Sequence, residues 1–186
     1  MRVFIVVLVL IFSLQLWVKA DDIRDFEIEG ISIGDSLLDF FTKNELNNAH
    51  EIYDYKNKKY RYYFLNYRKS QTYEYLQITV KPSDKKFLIQ GIDGHISYEN
   101  NINDCYKKMK SVKKEIEGVI TAIGLNDSGA HPGYPGSKYK RVFYKIDNGV
   151  AELACYDMSK KSKKADRFGV SIKNIKFLNF LTNEAY

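Results

Sequence analysis

The chain has 186 residues and a formal net charge of +6, with its lysine and arginine residues scattered among aspartate and glutamate. A mild and dispersed excess of this kind does not indicate a dedicated binder of nucleic acid or another polyanion. An aromatic content of 15% is typical of a packed globular protein.

The first twenty residues predict a secretory signal peptide. Arg2 precedes an apolar run at residues 3–14, which is long enough for the translocon but short for a permanent span of about 20 residues. Ala20 ends a Val-Lys-Ala sequence, so we place the cleavage after it and predict a secreted or periplasmic protein. An uncleaved anchor is the alternative. The remaining residues 21–186 are enough for one compact domain, or for two lobes at 21–99 and 100–186 that share a core.

The first half predicts a helix followed by three strands. After an extended lead-in at residues 21–33, Ser36 is a plausible helix N-cap with Asp39 three residues later. An apolar stripe for this helix comes from Leu37, Leu38, Phe41 and Leu46. The alternating tyrosine, isoleucine and valine content then predicts strands at 59–67, 72–80 and 87–98.

The second half repeats this order. Apolar residues recur at steps of three and four between Ile102 and Val119, which predicts an amphipathic helix with Asn101 as its cap. A turn-rich segment at 126–138 leads to predicted strands at 139–146, 150–157 and 168–177, and the Asp-Asn-Gly sequence ending at Gly149 predicts a hairpin. Two helix-strand-strand-strand units favour an α+β fold, with antiparallel sheet and helices on one face.

Cys105 and Cys155 are the two cysteines of the chain. In an oxidising compartment an isolated pair is most simply a disulfide, which here would connect the second helix to the following sheet. Two buried free thiols are the alternative. The spacing fits neither a metal site nor a redox motif.

Two short sequence blocks resemble those of the GDSL or SGNH hydrolases. Residues 34–37 read Gly-Asp-Ser-Leu and residues 124–127 read Gly-Leu-Asn-Asp. The resemblance implies a nucleophile, a base, an orienting carboxylate and oxyanion donors at Ser36, His131, Asp127, and Asn126 or Gly124. The family has its Asp-x-x-His block near the C-terminus, whereas here Asp127 and His131 follow the Asn block directly and lie one residue too far apart.

Residues 30–41 also resemble the strand-turn-helix opening of small secreted or periplasmic repeats of the BamE and beta-lactamase-inhibitor-protein type. The resemblance implies a helical segment against an antiparallel sheet, often twice in tandem, in a module that binds other proteins without catalysis. Ser36 would then be a helix cap rather than a nucleophile. The chain departs from the pattern because it lacks a glycine at the close of the first helix.

The candidate binding residues fall in two segments. Along the first predicted strand, Tyr60 and Tyr62 alternate with Tyr63, and Arg61 lies between them. Exposed rows of tyrosine with a nearby arginine can bind a ligand by stacking. The alternative is that these tyrosines form cross-strand pairs that cover a half-buried sheet. The second segment is the 126–138 loop, which contributes His131 and Tyr134.

The three histidines are too dispersed for a metal motif, so we expect no metal and no cofactor. Asp93 and His95 could share one side of a strand. The sequence thus favours an exported, non-enzymatic module that binds a protein or an envelope component. A serine esterase using Ser36 and His131 is the alternative. Export makes nucleic acid the least expected partner.

Overall fold

The computed structural model describes residues 22–67, 70–99, 101–131 and 133–185, so the predicted signal peptide lies outside the described residues. Its strands are β1 Glu27–Ile28, β2 Ile31–Ser32, β3 Glu51–Asp54, β4 Arg61–Leu65, β5 Tyr75–Val80, β6 Ile89–Ser97, β7 Leu125–Ala130, β8 Lys138–Ile146, β9 Gly149–Asp157 and β10 Arg167–Asn174. Its α-helices are α1 Lys43–Asn47, α2 Ile102–Glu117 and α3 Ile175–Asn183.

Strands β3 to β10 form one antiparallel sheet in the order β3-β4-β5-β6-β10-β9-β8-β7. Each half of the chain contributes four consecutive strands, and the two halves meet where β6 pairs with β10 from Arg167↔Ser97 to Lys173↔Gly91. The predicted α+β class with an antiparallel sheet is confirmed. Each repeated unit contains a fourth strand that the sequence analysis did not predict, β3 or β7, and these two strands form the edges of the sheet.

The first predicted helix divides into two shorter elements. Ser36 caps a 3-10 turn at Leu37–Asp39, and its Oγ accepts a hydrogen bond from the Leu38 N–H at 3.3 Å. Thr42 then starts α1 with a capping box, in which its side chain and that of Glu45 each bond the other's backbone N–H. A second capping signal six residues after the first therefore ends one helical segment and begins another.

Helix α2 and the β8–β9 hairpin agree with the sequence prediction. Asn101 caps α2 by accepting a bond from the Asp104 N–H. Asn148 has a φ of 62° in the two-residue turn that precedes Gly149. Helix α2 is joined to β9 by the predicted disulfide between Cys105 and Cys155, whose Cα atoms are 5.9 Å apart.

The register gives the sheet two chemically different faces. One row of paired residues crosses six strands with every member buried: Tyr63, Ile78, Ile92, Ile172, Ala151 and Tyr144. We call the side of the sheet that carries this row and the disulfide the packed face. Side chains alternate along a strand, so the next row points the other way. That row contains Phe64, Gln77, Asp93, Ser171, Glu152 and Phe143, and we call its side the open face.

Helix α3 covers one end of the open face. The sequence analysis predicts a strand through Phe177, but β10 ends at Asn174, whose side chain accepts a bond from the Phe177 N–H at 2.8 Å and caps α3. A Cβ placed on Gly91 would meet the Phe177 ring at 2.9 Å, which locates the helix on this side. Phe177 and Phe180 pack around the ring of Tyr60, with centroid distances of 4.9 and 4.8 Å. In the described part of the chain, no helix is both long and apolar enough to cross a bilayer.

Candidate binding face

Beyond α3, the open face carries aromatic and charged side chains that are only partly buried. The aromatic members, contributed by β4, β5, β6, β8 and β9, are Phe64, Tyr75, His95, Tyr139, Phe143 and Tyr156. Phe64 and Tyr75 stack with their ring centroids 4.9 Å apart. A protein interior would bury these rings completely, so this end of the sheet is a surface rather than a core.

Tyr62 and the 126–138 segment border opposite ends of the open face. Tyr62 lies on β4, and Tyr134 lies in the β7–β8 turn. The pKa of Tyr62 is raised mainly by burial, then by its hydrogen bond to Glu51, and in smaller part by the charges of Tyr53 and Tyr134. Tyr62 is therefore uncharged at neutral pH.

Charges of alternating sign cross the middle of this surface. In strand order they are Asp93, Lys173, Glu152, Arg141 and Asp127. Lys173 Nζ lies 2.9 Å from Asp93 Oδ1, and the Arg141 guanidinium lies 2.5 Å from Asp127 Oδ2 and 3.7 Å from Glu152 Oε2. Each of the two cations of this row lies beside a carboxylate, and the third carboxylate leaves the row with one formal negative charge.

Arg167, next to this row, has no carboxylate of its own among the described residues. Its guanidinium lies 4.9 Å from the centre of the Tyr156 ring, and its buried Nε has no hydrogen-bond partner in the same part of the chain. His95 Nδ1 is likewise buried there without a partner. Burial is the main cause that lowers the pKa of His95 to about 4; Arg167 and Lys173 lower it further, while Asp93 opposes them. His95 is therefore uncharged at neutral pH.

A cavity of about 390 Å³ opens beside these groups, lined by Ala130, His131, Tyr139, Arg141 and Tyr156. His131 contacts Tyr134 and Tyr156 at ring-centroid distances of 4.8 and 5.5 Å. Burial, with a contribution from Arg167, lowers the pKa of His131. The sequence-predicted candidates His131 and Tyr134 thus lie together at the rim of the open face.

The structure separates the tyrosines of the predicted binding strand. Tyr60 is 1% exposed beneath α3 and Tyr63 is 4% exposed on the packed face, so neither ring is accessible. Arg61 pairs with Asp54 at 2.6 Å. Tyr62 is half-buried on the open face, stacked on Tyr53 at 5.3 Å. Of this group, only Tyr62 remains on the candidate surface.

The residues of the hydrolase resemblance have other contacts in the structure. Ser36 Oγ donates to the Lys86 carbonyl at 2.9 Å and caps the 3-10 turn near the start of β6. His131 follows β7 and contacts the rings of Tyr134 and Tyr156. Asp127 accepts a hydrogen bond from Arg141, and Asn126 is exposed. The hydrogen bonds of Ser36 thus agree with a cap.

Sequence reasoning missed Arg167, Tyr156 and Arg141, and it noted His95 only as a neighbour of Asp93. Residues two positions apart in a strand lie on the same face, so the predicted strand at 139–146 already puts Tyr139 and Arg141 on one face. The sequence therefore contained part of the information about this surface. Which strands lie side by side depends on the β6–β10 pairing, which joins residues that are 70 to 82 positions apart in the chain. In the described residues, no cluster of three or more His, Cys, Asp or Glu could hold a metal ion.

No protein-family model, curated protein or solved structure matches the chain.

Proposed function

We propose that the chain is an exported, non-enzymatic binding module that recognises a protein through the open face. The observation that carries the proposal is the partly exposed set of aromatic and arginine side chains on a sheet face that α3 covers at one end. Tyrosine and arginine dominate the binding energy of many protein interfaces, because they offer a large contact area together with hydrogen bonds.

The charge pattern favours a protein as the partner. Alternating charges from Asp93 to Asp127 give the surface no dominant sign, which does not suit a polyanion. A folded protein can match such a pattern with charges of its own, so the same row would supply specificity. The aromatic and arginine side chains of the open face would thus supply affinity, and the row of charges would fix the orientation of the partner.

The disulfide supports export, because such bonds persist in oxidising compartments. With the predicted signal peptide, this favours a secreted or periplasmic location. The pattern resemblance to the BamE and beta-lactamase-inhibitor-protein type also agrees with a protein-binding module built from two units. We do not propose the esterase, because the hydrogen bonds of Ser36 in the described residues join it to Leu38 and Lys86 and are those of a cap.

Site-specific photo-crosslinking tests this proposal. A benzophenone side chain replaces Tyr139 on the open face or, as the matched control, Tyr106 on α2. Both rings are half-exposed and both lie under a cation, at 5.1 Å for Arg141 and 4.6 Å for Lys140. We expect a discrete protein adduct from the Tyr139 position alone. Adducts of the same protein from both positions, or from Tyr106 only, would contradict the proposal.

A further inference from the structure

We propose that the open face contains a carboxylate-binding subsite over Gly169, formed by Arg167, His95 and Tyr156, which receives an Asp or Glu side chain of the protein partner. This inference rests on the proposed function and specifies the chemistry of that partner at one point. We call the subsite the Gly169 cradle.

Within the described residues, Arg167 has no carboxylate partner. Four arginines fall within the described ranges, and three of them pair with carboxylates: Arg24 with Asp22 at 2.8 Å, Arg61 with Asp54 at 2.6 Å, and Arg141 with Asp127 at 2.5 Å. Arg167 makes no ion pair, and its Nε is buried without a hydrogen-bond partner. A buried donor on a charged group destabilises the folded protein when it has no acceptor. An acceptor from a bound partner would remove this free-energy penalty.

The guanidinium is held in place by Tyr156. The two residues are directly opposite in the β9–β10 register, and the guanidinium carbon lies 4.9 Å from the ring centre. An arginine stacked on an aromatic ring still presents N–H groups at its edge, where a carboxylate accepts two parallel bonds. Tyr156 therefore fixes the orientation of the donor without consuming its hydrogen-bonding capacity.

Gly169 places no side chain between His95 and Tyr156. A Cβ built at Gly169 would lie 3.5 Å from His95 Nδ1 and 3.8 Å from Tyr156 Cε2, which are ordinary contact distances. The glycine thus lies between a histidine atom that has no partner among the described residues and the ring that carries Arg167. A carboxylate bound to Arg167 would lie over this position.

The charges around the Gly169 cradle favour a ligand with one negative charge over a ligand with two. Arg167 is its single unpaired cation, because Lys173 is bound to Asp93 at 2.9 Å. His95 is neutral, since burial holds its pKa well below its ordinary value, and it can offer only a neutral N–H. Asp93 acts electrostatically on His95 and would repel a dianion. A carboxylate fits these groups better than a phosphate dianion.

A titration followed by two-dimensional NMR tests the subsite without the partner. The probe is acetyl-glutamate N-methylamide, which has one carboxylate, and acetyl-glutamine N-methylamide is its uncharged control. We expect saturable shifts of the Gly169 and Ala154 amides with the glutamate probe and none with the glutamine probe. No saturable shift, equal shifts with both probes, or tighter binding of inorganic phosphate at these amides would overturn the subsite.

Two variants and a control locate the binding. Arg167→Gln removes the charged donor and should weaken probe binding on the order of tenfold or more. Gly169→Ala should fold, since its Cβ makes ordinary contacts, yet it should weaken the probe by filling the cradle. Lys145→Gln removes an exposed charge from the same face at the other end of β8 and should leave probe binding unchanged. Unaltered binding by folded Arg167→Gln overturns the subsite.

The subsite and the proposed function can fail separately. Probe binding at Gly169 with no protein adduct from Tyr139 would support the carboxylate subsite while contradicting the protein-binding role. A protein adduct from Tyr139 whose yield Arg167→Gln does not change, together with no probe binding, would retain the binding role and overturn the subsite.

Discussion

Tyr62 and Tyr134 come from opposite halves of the chain, and both border the open face of one sheet. Tyr62 belongs to β4, near one edge of the sheet, while Tyr134 lies in the turn that joins the two strands at the other edge. The sequence treats these residues as members of two separate binding candidates. Because β6 pairs with β10, the two halves form one continuous sheet, and a partner that spans the open face would contact both repeated units at once.

The disulfide should contribute strongly to stability. It closes a loop of 50 residues between α2 and β9, which corresponds to about 4 kcal/mol in the chain-entropy model. We therefore expect the Cys105→Ser, Cys155→Ser double variant to lose roughly that much free energy of unfolding in urea denaturation. Unchanged unfolding would show that the bond does not form in the isolated protein.

Gly149 should tolerate no side chain. A Cβ there would overlap the backbone carbonyl oxygen of Lys173 and lie 2.7 Å from Ile23 Cγ1. Because the backbone of β10 cannot move aside without disturbing the sheet, Gly149→Ala should lower the free energy of unfolding by about 2 kcal/mol. Gly133→Ala is the control, since its nearest neighbour is the His131 ring at 3.7 Å. Equal stabilities of the two variants would refute this packing.

His95 should make stability depend on pH. Its folded-state pKa of about 4 is below its ordinary value of 6.5, so the folded state disfavours the protonated ring. The stabilisation is present above pH 6.5 and is lost as the pH falls toward 4, up to about 3 kcal/mol. His131 acts in the same direction, and the nearby charges are Asp93, Arg167 and Lys173.

The difference in unfolding free energy between wild type and His95→Gln isolates this effect. We expect the wild type to lose more stability than the variant between pH 6.5 and pH 4. Chemical denaturation at several pH values measures it. Parallel pH profiles would indicate that the His95 ring is hydrated in the folded protein.

The predicted processing site can be tested independently of the fold. We expect the exported protein to begin at Asp21, because Ala20 offers a small residue at the cleavage point. Intact-mass and N-terminal peptide analysis of secreted or periplasmic material measures this directly. Retention of Met1 in a membrane fraction would identify residues 3–14 as part of an uncleaved anchor.

Local signals predicted much of this fold. Helix α2 has a strong apolar period and an asparagine cap, and the β8–β9 hairpin has an Asp-Asn-Gly turn, so both follow from short-range chemistry. The edge strands β3 and β7 were missed because they contain few β-branched residues in alternation, and pairing with a neighbour decides their structure. Helix α3 was missed because its first turn continues the apolar content of β10.

The candidate site was less predictable than the fold. Tyr60, Tyr62 and Tyr63 look equivalent in the sequence, but α3 buries one, the packed face buries another, and the third stays half-exposed. The Gly169 cradle joins residues of β6, β9 and β10, whose approach depends on long-range register. Unsatisfied donors such as Arg167 Nε are visible only once all neighbours are placed.

The most direct test of the account measures how tightly the crosslinked partner binds wild type, Tyr139→Ala and Tyr106→Ala. The two substitutions remove the same ring, each half-exposed under a cation, from the open face and from α2 respectively. We expect Tyr139→Ala to weaken the affinity on the order of tenfold or more, as for an interface hot spot, and Tyr106→Ala to leave it unchanged. Equal affinities for all three folded proteins, or a loss confined to Tyr106→Ala, would contradict binding through the open face.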